Sequence, residues 1–208
     1  MRRENQIRRW VELLSAVVLS LATIATAWSG YQSAVWNSEQ TDKSAAAATA
    51  NIRYAKFTNL AAQRRSLHIN LFGQWAAATS GGNTALADWL FERFPEPLKT
   101  ATTAWLATEP LTNSAAPATP FDMREYSLGE DAEAKRWEAT AAAAAEAAGT
   151  AGEVANRYVL FTIIFAAVLF FGGIAGKFRW LAIDIATLTF GVLALLAGVA
   201  ILLWSPVK

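Results

Sequence analysis

Two apolar runs near the end of the chain, YVLFTIIFAAVLFFGGIA (Tyr158–Ala175) and WLAIDIATLTFGVLALLAGVAILLW (Trp180–Trp204), are separated only by Gly176, Lys177, Phe178 and Arg179. At a rise of about 1.5 Å per residue each is long enough to cross a bilayer as a helix, and so short a connection forces the two to run antiparallel. Few other folds accept such a pair. A third run, VELLSAVVLSLATIATA (Val11–Ala27), lies near the start between Trp10 and Trp28, where interfacial aromatic residues belong.

The totals agree with a membrane class. Of the 208 residues, 54% are hydrophobic and the mean hydropathy is +0.24. Formal charge is only +1, from 18 basic and 17 acidic residues, so nothing in the balance points to nucleic acid. There is no cysteine and a single histidine, which excludes disulfides, thiolate metal sites and a cysteine nucleophile.

The head MRRENQIRRW, the run after it and Ala25-Thr26-Ala27 also have the form of a secretory signal. The expectation here is a retained anchor. With three crossings, Arg2, Arg3, Arg8, Arg9, Lys177 and Arg179 share one side, which the positive-inside rule makes cytoplasmic. The expected organisation is a cytoplasmic segment 1–10, a first span 11–28, an extracytoplasmic segment 29–156, a second span 157–176, a cytoplasmic turn 177–179, a third span 180–204 and an extracytoplasmic end 205–208. The fold class is all-α, an integral membrane protein with a long extracytoplasmic helical hairpin.

Within 29–156 the first span can continue as one helix until Ser80-Gly81-Gly82, because no proline intervenes. Asn83 then caps a short helix, and Pro95-Glu96-Pro97 ends it and opens another. PLTNSAAPATPFDM (Pro110–Met123) reads as a surface connector. Ser127-Leu128-Gly129-Glu130 has the form of a capping box, and a helix from there runs through the alanine tract into the second span.

If the two long helices pair as a coiled-coil-like stalk, Ala45 and Ala48 meet Ala141 and Ala145 at one height, and Trp36 faces Gly149 and Gly152. The same register places Arg53 near Glu133 and Lys56 near Glu130. In the spans, Gly172 and Gly176 on one helix and Gly191 and Gly198 on the next form small-residue faces for close contact.

No catalytic, cofactor or metal site is expected. His68 has no carboxylate within a turn on its own helix, and no serine lies in a nucleophile elbow. Glu130, Asp131 and Glu133 occupy a helix's first turn, where negative charge favours the free amides. Asp184 is the one acidic residue well inside a span, a candidate for an interfacial ion pair with Arg179 or Lys177 or for an intramembrane polar site. Trp75, Trp89, Phe91, Phe94 and Trp105 cluster at the tip of the hairpin, either as its small core or as a surface for a partner.

Several stretches carry a resemblance: AWSGYQSAVWNSEQ (Ala27–Gln40), FGQW (Phe72–Trp75), AWLATEP (Ala104–Pro110), PFDMREY (Pro120–Tyr126) and FFGGIAGKFRW (Phe170–Trp180). In these the chain resembles a family of small bacterial three-span inner-membrane proteins of unknown function. The resemblance implies that architecture and a bacterial inner-membrane setting; it implies no activity. The functional expectation is a non-enzymatic oligomeric or accessory subunit, whose partners are the lipid bilayer and other membrane subunits or copies of itself. A self-assembled channel or transporter is the alternative, and an extracytoplasmic sensor module stands behind it.

Overall fold

In a computed structural model the chain is helical. It describes the backbone of residues 2–175, 177 and 180–208, with the side chains from Gln6 onward other than that of Leu181. Helix α1 spans Arg2–Ser80, α2 Thr84–Glu92, α3 Leu98–Leu106, α4 Gly129–Ile174 and α5 Leu181–Leu203. A 3₁₀ turn covers Pro120–Asp122. Three of these helices, α1, α4 and α5, are long and apolar enough to cross a membrane.

Proline placement explains much of this pattern. The six prolines fall at 95, 97, 110, 117, 120 and 206, outside all three long helices, so no interior amide is missing from their ladders. Helix α1 ends at the Gly81-Gly82 pair: Gly82 takes φ +72°, a left-handed conformation, and the Asn83 side chain accepts from the Leu86 amide 3.1 Å away. The expected capping box at Ser127 does not close. Its amide donates to Glu125 O instead, and the Glu130 carboxylate is drawn 2.7 Å from Arg64 Nη1, a charged partner that outcompetes a neutral amide.

The chain divides into two compact units, one of residues 1–46 with 144–208 and one of residues 47–143. In the first unit α1, α4 and α5 share a core of Val18, Ala22, Tyr158, Phe165, Val168 and Leu195 with further apolar neighbours. Its inward positions on α1 are Val11, Ser15, Val18, Ala22, Ala25, Ser29 and Gln32, and those on α5 are Asp184, Leu188, Gly191, Leu195 and Gly198. Both series step by four and three residues in alternation, a seven-residue repeat that keeps one narrow face toward a neighbouring helix. Small residues recur along it and let backbones approach: an added Cβ at Gly191 would lie 3.8 Å from the Gly172 amide, and one at Gly198 only 2.8 Å from the Phe165 ring.

In the second unit the inward face of α1 repeats the rule with Ala47, Ala50, Ala61, His68, Trp75 and Ala78 buried. On α4 the buried positions there are Ala134 and Ala141, and Leu128, just before the helix, is buried too. The Arg53 guanidinium stacks 4.4 Å over the Trp137 ring, and Arg64 and Arg65 pair with Glu130 and Asp131 at 2.7 and 2.8 Å.

The expected stalk register is therefore corrected by one to two helical turns. Arg53 meets Trp137 rather than Glu133, which pairs with Arg136 on its own helix, and Glu130 takes Arg64 rather than Lys56. Matching helix heights alone left this offset free; the aromatic and ionic contacts select it. Of the small residues expected to pack, Ala141 and Gly152 are buried, while Ala45, Ala48, Ala145 and Gly149 are exposed. Gln40, not Trp36, lies against Gly152. Trp36 instead packs on the first unit's core. Gly172 is buried against Leu19 and Val18, and Gly176 lies outside the described residues.

Gly198→Ala tests the close approach. Phe165 is fully buried and has little room to move, so the added methyl is expected to cost about 1–3 kcal/mol in reversible unfolding of detergent-solubilised protein. Gly149→Leu enters open space and is expected to change stability by no more than about 0.5 kcal/mol.

Candidate functional site

The second unit ends in an aromatic cluster. Trp75 and Phe72 of α1 stand against Phe91 of α2, Trp105 of α3, and Phe94, Phe121 and Tyr126 of the connecting segments. The rings meet edge-on or tilted at centroid distances of 4.9–6.3 Å, the arrangement their quadrupoles favour. Trp105 Nε1 donates to Pro117 O at 2.8 Å, which ties the proline-rich connector down onto α3. The Glu96–Pro97 peptide between α2 and α3 is cis.

Four of the five aromatic residues marked out in the sequence thus sit in or against this core: Trp75 and Phe94 are buried, and Phe91 and Trp105 half-buried. Trp89 differs. It is 52% exposed, with the Arg93 guanidinium 4.3 Å over its ring. Near the cluster's edge, Trp75, Ala76, Trp105, Leu106 and Leu111 line an almost wholly apolar groove of about 300 Å³. Leu111 is 95% exposed. Its position in a polar connector directly after a proline was the available signal for this groove.

Beneath the cluster lies His68, fully buried, with Nδ1 3.0 Å from the Tyr126 hydroxyl. Burial pushes the imidazole below its ordinary value of 6.5; the Arg64 guanidinium adds to the shift and Glu130 opposes it. Burial likewise raises the Tyr126 phenol, so both partners are neutral at pH 7. Tyr126 and Glu130 reach His68 from outside its own helix, which is why the sequence around His68 gave no sign of them. Among the described residues no group of three or more potential metal ligands comes together.

In the first unit, Asp184 is buried and its Oδ2 lies 3.6 Å from Arg8 Nη1. Arg8 belongs to α1; Arg179, one of the partners expected from sequence, is outside the described residues. The Thr187 hydroxyl donates to Ile183 O and Asp184 O, both at 3.0 Å, which satisfies it within its own helix. Lys177 and Glu12 stand at a separate groove with Ser15, Leu19 and Gly172.

The residues after α5 return to the helices. Tyr158 Oη donates to Pro206 O at 2.9 Å, and the buried Gln32 amide donates to Lys208 O at 2.7 Å while accepting from Lys208 N at 3.1 Å. Lys208 Nζ lies 2.8 Å from Glu39 Oε2 and 4.6 Å from the Trp36 ring. Sequence reasoning assigned Ser205–Lys208 no contacts. A polar glutamine on the inward series of α1 was the clue.

No protein-family model matches the chain, and neither a curated protein nor a solved structure is found to match it.

Because the folded state resists protonating His68, the unfolded chain binds the extra proton more readily below pH 6.5, and stability of the second unit falls as pH drops from there. Hydrogen exchange of the Leu71–Trp75 amides, corrected for the intrinsic pH dependence, is expected to accelerate between pH 7 and 5. His68→Gln is expected to flatten that profile.

Proposed function

We propose that the chain is an integral membrane protein that works as a non-enzymatic accessory subunit, with the second unit carrying a docking face for another protein outside the bilayer. The observation that carries the membrane reading is an inverted polarity in the first unit. Leu13, Val17, Leu21 and Ile24 on α1, Ile163 and Phe170 on α4, and Leu193, Leu196 and Ile201 on α5 are exposed, whereas Ser15, Ser29, Gln32 and Asp184 are buried. In water that surface would be an aggregation liability; in hydrocarbon it is the stable arrangement.

In this reading α1 crosses at residues 11–28, α4 at 157–176 and α5 at 180–204, in a bacterial inner membrane. The basic residues Arg8, Arg9 and Lys177 set the N-terminal side as cytoplasmic. The Arg8–Asp184 pair supports an interfacial ion pair rather than a step on an ion pathway, since it joins two helices beside the basic head. Support for docking comes from Trp89, Leu106 and Leu111, three exposed large apolar side chains in a unit whose other tip aromatics are packed.

The natural absence of cysteine makes the topology directly measurable. Single cysteines at Ser114 and at Trp10 are expected to react with a membrane-impermeant maleimide from opposite sides of the inner membrane, Ser114 in intact spheroplasts and Trp10 only after lysis. Labelling of both from one side would overturn the orientation, and recovery of the protein in the soluble fraction would overturn the membrane reading. For docking, Leu111→Asp is expected to remove any co-purifying protein while leaving the detergent-solubilised chain folded. A native mass showing the wild-type chain alone would reject the accessory role.

A further inference from the structure

The segment beyond α5 meets a set of partners that is unusually complete for four residues. Its backbone is read twice by one side chain, the fully buried Gln32 amide, and once by the fully buried Tyr158 hydroxyl, while Ser205 is itself buried. These contacts come from two different helices. Hydrogen bonds of this kind, shielded from water, hold a segment in one position.

The last contact has another character. The Lys208 ammonium bridges the Glu39 carboxylate and the Trp36 ring at a half-exposed site, where an ion pair is worth little and is sensitive to salt. Glu39 is also gripped by Lys43 one turn along at 3.3 Å, and on α4 the Arg157 guanidinium acts on Tyr158.

We propose that Ser205–Lys208 is a releasable latch, closed in this structure, that fixes the C-terminal end of α5 to α1 and α4 through Gln32 and Tyr158 and is released through the Lys208–Glu39 pair. The Lys208 and Lys43 ammonium groups hold the Glu39 carboxyl below its ordinary value of 4.5. The latch therefore keeps its charge through mild acidification and answers to ionic strength and to competing cationic groups. Opening frees the cleft of Gln32, Trp36, Glu39 and Tyr158, which reads a peptide backbone and one ammonium.

Ser205→Cys provides the readout in the full chain, since it is the sole thiol and is buried at the base of the latch. Its reaction with a water-soluble maleimide at low salt is expected to be slower than that of Val207→Cys, which is 61% exposed, by on the order of tenfold. About 1 M sodium chloride, where the Debye length is roughly 3 Å, is expected to raise the Ser205→Cys rate several-fold. Adding Glu39→Gln is expected to produce the same rise at low salt and to abolish the further effect of salt. Tyr158→Phe is expected to raise the rate with salt sensitivity intact, and lowering the pH from 7 to 5.5 to leave the protection ratio between the two cysteines unchanged. Equal rates for the two cysteines in the otherwise wild-type chain would overturn the latch. A protected cysteine that ignores both salt and Glu39→Gln would overturn release through the ion pair.

Discussion

Close approach of helix backbones along a narrow face is the constraint on which the architecture depends. Helices in water are held by removing apolar surface from solvent, but helices in hydrocarbon gain nothing from that exchange and rely on packing and internal hydrogen bonds. The first unit has the packing that the proposed membrane setting requires. Ala22, Gly172, Gly191 and Gly198 sit on inward positions, and two of the polar side chains that face inward are paired across helices or to the last residues, Gln32 with Lys208 and Asp184 with Arg8. The second unit uses the same stepping of positions on α1 with different chemistry: alanines give way to an imidazole and then to stacked aromatic rings.

That change divides the labour between the units. A small-residue face accepts little alteration at its tightest points, where a methyl at Gly198 meets the Phe165 ring and one at Gly172 the Leu19 side chain. An aromatic cluster tied by a connector can present different residues outward without losing its core, and Leu111 and Trp89 are so presented. The functional reading follows this asymmetry: one unit anchors, the other offers a surface.

How much of this could be read in the sequence depends on the range of the interaction. Local chemistry was legible: the end of α1 at Ser80, the Asn83 cap, the helix breaks at prolines and the three apolar runs follow from residues a few positions apart. Pairings between α1 and α4 were not, since alanine tracts specify proximity without height, and the selecting contacts, Arg53 on Trp137 and Arg64 on Glu130, lie far apart in the chain. The partners of His68 and of Lys208 were hidden for the same reason. The role of Gly149 failed differently: the helix phase, fixed by Ala148 and Ala151 facing inward, turns it to the outside.

The contacts of Ser205–Lys208 also bear on length. Helix α5 has 23 residues, about 34 Å of rise, and both its ends are held: the first turn by the Arg8–Asp184 pair, the finish by Tyr158 and Gln32. A free span adjusts to a thicker or thinner bilayer by tilting alone. In the proposed membrane setting, α5 held this way would tilt only together with α1 and α4, so that the three helices would meet bilayer thickness as one body.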